Sequence, residues 1–493
     1  MLQDSPATRD SAPGRADPET PAPREPRYPY AREMVAGGLY VALLIVVLRL
    51  ASAPLSNTDT YFHLRFGSEF LDGWSLRDPG SVSSFATADW LPTQWLSEVV
   101  MARTEDAFGL AGVAWLYGLL LVALLTTLYL SARRWAGPLL SVGLTCLALL
   151  SASQQLWMRP QLLSFLLVAV TTAAWLRTRE DRRIRWWLVP LTWVWAMVHG
   201  MWPIGIGLGV VAVVGMALDR TLPRPLLLRA AAVPLLSAVA AAVTPVGPGL
   251  YGAVIGVGNR SQYFSEWGSP DYSTVDCRAL GVLLVLTVGL MLRRGVRSWT
   301  DLAFLLVAAV CAVWSWRTVP VAATILVPLA AVQSRAGRSP ATPARRPERA
   351  LLAIGGALTL LALAFVVPHT ADQPPSQPAW VDPALSSLPA GTKVLDSWDY
   401  GGYLMWRYPQ LDLLMHGYGD TFTIAELQRN TDIADLAPGW DTDLRATGCT
   451  IAVLRPTAVA YALEHQLHWT VLHRSAAIVE LQAPPGWSSA SGG

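Results

Sequence analysis

Eleven apolar segments, each near the ~20 residues that cover the hydrocarbon core of a bilayer, are strung along the chain between residues 34 and 368. They fall roughly at 34–54, 109–131, 136–153, 160–176, 186–199, 202–218, 226–244, 279–292, 299–316, 318–333 and 350–368, with 136–153, 186–199 and 279–292 short for a span. So many long greasy runs cannot share one water-soluble core, and the chain is 53% hydrophobic with only 15% charged residues. The expected fold class is therefore mainly α: a polytopic membrane helix bundle of about eleven spans. Nearly all the cationic charge is arginine, Lys393 being the one lysine, which suggests a GC-rich genome.

Arginine also orients the bundle, because loops on the cytoplasmic side collect positive charge. Arg15, Arg24, Arg27 and Arg32 precede the first segment. Every second loop is then arginine-rich again: Arg133–Arg134, Arg177 to Arg185, Arg220 and Arg224, Arg293 to Arg297, and Arg335 to Arg349. The alternation puts the N-terminus in the cytoplasm. It puts loops 55–108 and 245–278, and everything after Val367, outside.

The ends differ from the bundle. Residues 1–33 are rich in Pro, Ala, Arg and acids without apolar periodicity and read as a disordered tail, with no cleavable signal peptide. Residues 335–349 read as an Arg/Pro-rich linker and 369–390 as a Pro-rich connection. Residues 391–485 read as a small extracytoplasmic α/β domain, followed by a disordered tail at 486–493. Strands are expected at Lys393–Leu395, Leu411–Met415, Thr450–Leu454, Trp469–His473 and Ala476–Leu481, and helices at Gly402–Trp406, Thr423–Arg429 and Pro456–His465. From Val367 onward thirteen acidic residues face six basic ones, which argues against a polyanion partner and against nucleic acid. Cys146 and Cys311 fall within spans; Cys277 and Cys449 both fall outside, where a disulfide can form between them. Neither a zinc-like Cys/His spacing nor a Gly-rich phosphate loop is present.

Loop 55–108 carries the chemistry. It holds Asn57-Thr-Asp-Thr-Tyr-Phe-His-Leu-Arg-Phe-Gly67, then Asp78-Pro79, Trp90 and Gln94-Trp-Leu-Ser-Glu98. Ionisable groups beside a bilayer are costly unless they serve a site. Tyr61, Phe62, Leu64, Phe66, Phe70 and Leu71 suit a short interfacial helix ended by Gly73. On it Asp59 and His63 share one face, and Tyr61 and Arg65 share another. Asp59 is either the helix N-cap or a carboxylate that binds a divalent cation or takes a proton. His63 and Arg65 either serve the site or snorkel to the headgroups. Glu98 opens the helix leading to the next span.

The same stretches resemble a family of bacterial multispan proteins whose first outer loop reads Asp-Thr-Trp-Trp-His-Leu, Thr-Asp-Pro-Phe and His-Glu-Trp-Leu-Ser-Glu. Further matches follow in order at Met158-Arg-Pro-Gln161, Trp195-Ala-Met-Val-His-Gly200, Thr244-Pro-Val-Gly247, Glu266-Trp-Gly-Ser-Pro270, Trp316-Arg-Thr-Val-Pro320 and Val394–Leu404. That family is similar to the GT-C glycosyltransferases, among them protein mannosyltransferases, aminoarabinose transferases and oligosaccharyltransferases. The resemblance implies a membrane enzyme that moves a sugar from a polyprenyl-phosphate-linked donor to an extracytoplasmic glycan, lipid or protein. It maps an acidic base or metal ligand of the first outer loop onto Asp59 and a late-loop acid onto Glu266. One departure stands out: Thr93-Gln94 replaces the family's His-Glu.

Arg159, His199 and Arg317 lie at the expected outer ends of spans, against the arginine bias. There a guanidinium can clamp a lipid phosphate; the alternatives are salt bridges to Glu98, Glu266 or Asp271, headgroup contact, or, for His199, a hydrogen bond to a neighbouring helix. The candidate site is thus Asp59 and Glu266 as catalytic acids, with Arg159, Arg317, His63, Arg65, His199 and Glu98 as donor-phosphate or substrate ligands. A divalent cation such as Mg²⁺ or Mn²⁺ at Asp59 and metal-free catalysis fit equally. The segment Trp398–Tyr403 either lines an acceptor cleft or makes a strand-to-helix turn through Gly401-Gly402. Two other classes stay open: a transporter or flippase of a lipid-linked substrate, and a non-catalytic envelope scaffold.

Overall fold

A computed structural model describes residues 31–295, 298–335, 344–371 and 378–487. The expected tails at 1–33 and 486–493 fall largely outside the described residues, as do 336–343 of the first linker and 372–377 of the Pro-rich connection. The membrane part comprises α1 (Ala31–Ala51), α2 (Thr58–Leu71), α3 (Trp95–Arg133), α4 (Pro138–Ala152), α5 (Gln161–Asp181), α6 (Leu188–Val198), α7 (Trp202–Leu218), α8 (Arg224–Ala242), α9 (Gly249–Asn259), α10 (Val275–Arg294), α11 (Trp299–Trp314), α12 (Val319–Gln333) and α13 (Arg346–Thr370). Every apolar segment expected from the sequence is a helix, but the count of eleven spans needs correction. Among the described residues seven helices are long and apolar enough to cross a membrane: α1, α3, α5, α8, α10, α12 with the short turn before it, and α13. The segments at 136–153, 186–199, 202–218 and 299–316 form helices of 15, 11, 17 and 16 residues. Polar turns and capping residues cut these short of a bilayer's width.

Burial explains the arrangement. In α12 every residue is buried, so it runs through the middle of the bundle. Peripheral helices instead expose Leu235, Val285, Leu306 and Phe365, each more than 60% accessible, the apolar outer surface that lipid requires. The chain is a multi-pass membrane protein.

Loops that the arginine pattern separates lie at opposite ends. At one end Arg134 and Arg335 both reach Glu180, Arg179 pairs with Asp301, and Arg133 grips Glu348 at 2.7 Å. At the other end Arg77 donates to the Pro245 carbonyl at 3.0 Å, joining the two long loops, and Arg260 donates to the Phe422 carbonyl at 3.1 Å, joining the second of them to the C-terminal domain. Helix α9 in loop 245–278 is absent from the sequence expectation, because its Gly-rich run has weak periodicity.

The C-terminal domain adds α14 (Val381–Ser386), β1 (Lys393–Asp396), α15 (Trp398–Arg407), β2 (Asp412–Leu413), α16 (Ile424–Ala434), α17 (Trp440–Thr447), β3 (Ile451–Leu454), α18 (Ala458–His465), β4 (Thr470–Arg474) and β5 (Val479–Gln482). All five expected strands are present, in the order β2-β1-β3-β5-β4; β2, β1 and β3 run parallel, and β5 and β4 are antiparallel. Gly401-Gly402 does not form a strand-to-helix turn: both glycines lie inside α15. A Cβ at Gly402 would stand 2.4 Å from the Thr58 carbonyl oxygen, so this glycine lets α15 dock directly on α2. The Cys277–Cys449 pairing does not form either. Both thiols are free and buried in separate cores, Cys277 within the bundle and Cys449 within the C-terminal domain.

Candidate active site

Helix α2 is the platform. Its N-cap is Asn57, whose side-chain oxygen accepts from the Asp59 amide at 3.0 Å. This overturns the N-cap reading of Asp59 and leaves that carboxylate, in the first turn of the helix, free of the cap. The two faces expected of α2 are real. Tyr61 and Arg65 turn toward α15, where Tyr61 packs on Tyr403 and Trp406 and Arg65 reaches the Met405 carbonyl. Asp59 and His63 turn the other way, into a cavity of about 600 Å³.

Backbone contacts bring distant segments to that cavity. Thr60 donates to the Met158 carbonyl at 2.9 Å, which places Arg159 beside Asp59. The Trp316 amide donates to the Gly268 carbonyl at 2.9 Å, which places Arg317 beside Glu266. The result is a continuous line of charge. Arg159 bonds Asp59 at 2.9 Å and Glu266 at 3.0 Å, while Arg317 bonds the other oxygen of Glu266 and stacks over the Trp267 ring at 5.1 Å. Of the salt-bridge partners weighed for the arginines, Glu266 is the one used.

The two acids differ electrostatically. Burial raises the Asp59 carboxyl above its ordinary value; Arg159 opposes this and Glu266 reinforces it. Burial also acts to raise Glu266, but Arg317 and Arg159 outweigh it and hold the group down to about 2. Glu266 is thus a permanent anion and Asp59 the titratable one.

Two histidines face the same cavity. His199 has its Nδ1 at 2.8 Å from the Ser164 hydroxyl on α5, and the Met201 amide also points at that nitrogen from 3.4 Å. Nδ1 therefore accepts, and Nε2–H remains a donor toward the cavity. The hydrogen bond to a neighbouring helix and the place at the site hold together. Burial, then Arg317 and Arg159, push its pKa well down, so the ring is neutral. His63 has its Nδ1 at 3.0 Å from Glu98 on α3. The close approach of α2 and α3 depends on Gly67, where a Cβ would stand 2.1 Å from the Glu98 carbonyl oxygen.

Six of the eight residues singled out from the sequence line this cavity: Asp59, His63, Arg159, His199, Glu266 and Arg317. Arg65 does not; it pairs with Glu69 at 2.7 Å one turn along α2, on the face toward α15. Glu98 does not line it either, being fully buried behind His63. Gln94, at the departure from the family pattern, lines the cavity and donates to the Tyr418 hydroxyl at 3.3 Å. Among the described residues no group of three or more His, Cys, Asp and Glu side chains is placed to hold a metal ion; the two acids turn to guanidinium groups instead.

The segment Trp398–Tyr403, weighed as a cleft lining, brings Trp398 and Asp399 to one side of the cavity. Sequence reasoning missed Tyr418 and Asp420 beside them, and Arg260, which joins from the end of α9. Tyr418 is buried among Phe62, Phe66 and Trp90. Its signal was available in Gly417-Tyr-Gly-Asp420, two glycines around an aromatic between a strand and a helix, which reads as a tight loop.

No protein-family model matches the sequence, and no curated protein matches it in sequence. Solved structures do match in fold. The apo oligosaccharyltransferase of Archaeoglobus fulgidus aligns with a TM-score of 0.55 and 12% identity, over 89% of this chain and 70% of that one. The archaeal oligosaccharyltransferase AglB from the same organism, in complex with an inhibitory peptide and a dolichol-phosphate, gives 0.54 and 10% over 90% and 71%. Apo ArnT from Cupriavidus metallidurans gives 0.54 and 16% over 93% and 99%. At such identities the likeness is one of architecture. Bilayer-length helices, a C-terminal mixed sheet and these alignments together give the chain the fold of these oligosaccharyltransferase and ArnT structures.

Proposed function

We propose that this protein is a membrane glycosyltransferase that moves a sugar from a polyprenyl-phosphate-linked donor to the hydroxyl of an extracytoplasmic glycan, lipid or protein. The observation that carries the reading is the Asp59–Arg159–Glu266–Arg317 line along one cavity, in a fold shared with transferases. In this reading Asp59 orients the acceptor hydroxyl and takes its proton. The acceptor oxygen attacks the anomeric carbon from the face opposite the phosphate, which inverts that centre. Arg159 and Arg317 use their remaining N–H groups on the departing phosphate, where negative charge grows. Glu266, anchored between them, keeps both guanidinium groups aimed at the cavity and their charge balanced before substrate arrives. His199 offers Nε2–H as a further neutral donor.

The arginine pattern supports an N-terminus in the cytoplasm and a cavity facing outside. Helix α7, roughly 26 Å long at 1.5 Å per residue, leads from His199 at the cavity to Asp219, which bonds Ser298 and Thr300 at the arginine-rich end. The test is transfer of labelled sugar from polyprenyl-phosphate donors by the purified protein in proteoliposomes. Loss of product in Asp59→Ala, with thermal stability kept, supports the assignment; an Asp59→Ala protein as active as the parent overturns it.

A further inference from the structure

Glu98 is 0% exposed and His63 2% exposed, and they meet at 3.0 Å between Oε1 and Nδ1. A buried acid–imidazole pair is expensive to carry in a core that apolar residues fill well. Three features say what it does. The ring lines the cavity and offers Nδ1 to Glu98, so the opposite nitrogen, Nε2, is the one turned to the cavity. Phe62 at 4.4 Å and Tyr418 at 6.2 Å between ring centroids hold the imidazole edge-on and fix its tilt. The second oxygen of Glu98 is buried with no hydrogen-bond partner among the described residues, while the first also receives the Tyr418 hydroxyl at 3.4 Å. An ionised carboxylate would strand negative charge on that lone oxygen, whereas a carboxylic acid leaves only a carbonyl there. The proton between the pair thus rests on Glu98, and His63 carries its own hydrogen on Nε2.

We propose that His63, recharged by Glu98 behind it, is the proton donor to the departing polyprenyl phosphate. The inference rests on the glycosyl transfer proposed above and adds its missing acid. As the acceptor oxygen bonds the anomeric carbon, the bond from that carbon to the phosphate oxygen breaks and its electron pair stays on the phosphate. The acceptor proton passes to Asp59. The Nε2 proton of His63 passes to the phosphate, and the Glu98 proton moves onto Nδ1. Water in the cavity then takes the proton from Asp59 and returns one through His63 to Glu98. Asp59 and His63, one turn apart on the same face of α2, are thus the base and the acid of one reaction, and Glu98 is a positioning residue that acts through His63. Burial, and then Arg159, His199 and Arg317, disfavour a charged imidazole, which suits a ring that passes a proton on without keeping it.

The test uses the full-length protein and farnesyl phosphate, at about pH 8 where a free phosphate monoester is dianionic. Infrared difference spectra on binding should show loss of a protonated-carboxyl band in the parent. Glu98→Gln should lack the band, and His63→Gln should keep it unchanged on binding. In transfer assays Glu98→Gln should lower kcat about 100-fold with the donor KM unchanged, a split that a merely structural residue would not give. A parent protein with no such band, or with one indifferent to farnesyl phosphate, overturns the proposal. If the band responds but no polyprenyl-phosphate sugar is transferred, the proton pair stands and the glycosyltransferase reading falls.

Discussion

Both ends of the bundle carry buried arginine–carboxylate pairs, yet they are built to different purposes. At the arginine-rich end Arg133 meets Glu348, and Arg179 meets Asp301 with Ser298 completing the contact, so these charges fasten helix ends to one another. At the cavity end two arginines share Glu266, one of them also holds Asp59, and the group borders about 600 Å³ of open space with neutral histidines beside it. Pairing alone therefore does not distinguish scaffolding from chemistry. The distinction lies in donors left over after pairing and in a void for them to face.

The sharpest way to break this comparison is Asp59→Ala, for which transfer should fall by about 10²–10⁴-fold while the melting temperature stays near that of the parent. Next comes a matched pair of variants. Arg317→Gln should cut kcat/KM for the donor by about 100-fold, on the scale of losing one charge-stabilising donor. Arg179→Gln at the opposite end should leave turnover intact and lower stability by about 3 kcal/mol, since it strands Asp301 in a buried site; detergent-solubilised thermal melts and donor kinetics separate the two. A third prediction uses pH. A base must be ionised, so kcat/KM should be full above the Asp59 pKa and decline as pH falls through it, at a value above the ordinary aspartate range near ~3.9. Glu266, at about 2, remains an anion across that limb, so the decline reports Asp59 and not collapse of the arginine clamp. An acid limb below the ordinary aspartate value would contradict the burial argument. The smallest effect is expected for Arg65→Ala, within about twofold of the parent, because its guanidinium lies outside the cavity; steady-state kinetics would show it.

Much of this was readable before any coordinates. The period of α2 put Asp59 and His63 on one face and Tyr61 and Arg65 on another, because helix geometry dictates that at four-residue spacing. Arginines at the ends of spans that should lack them marked Arg159 and Arg317. Which face of α2 meets the cavity is a tertiary matter, and so the sequence did not show that Arg65 lies outside it. The depth of Glu98 was hidden for the same reason: it depends on Gly67 admitting α3, a contact between residues thirty-one positions apart. The four short helices show where an apolar run misleads, since hydrophobicity sets the solvent of a segment while caps and turns set its length. Tyr418 and Asp420 escaped notice because a small polar domain after the last span reads as an appendage.

It is not an appendage. Tyr418 is wedged among rings from α2 and loop 55–108, and Gly402 brings α15 against Thr58, the residue that opens α2. The membrane half by itself would be a vessel missing its lid, with Asp59 and His63 bathed in bulk solvent. Grafting another extracytoplasmic module onto these helices would therefore alter the cavity itself, and recombination in this architecture should be expected to exchange both halves together or neither.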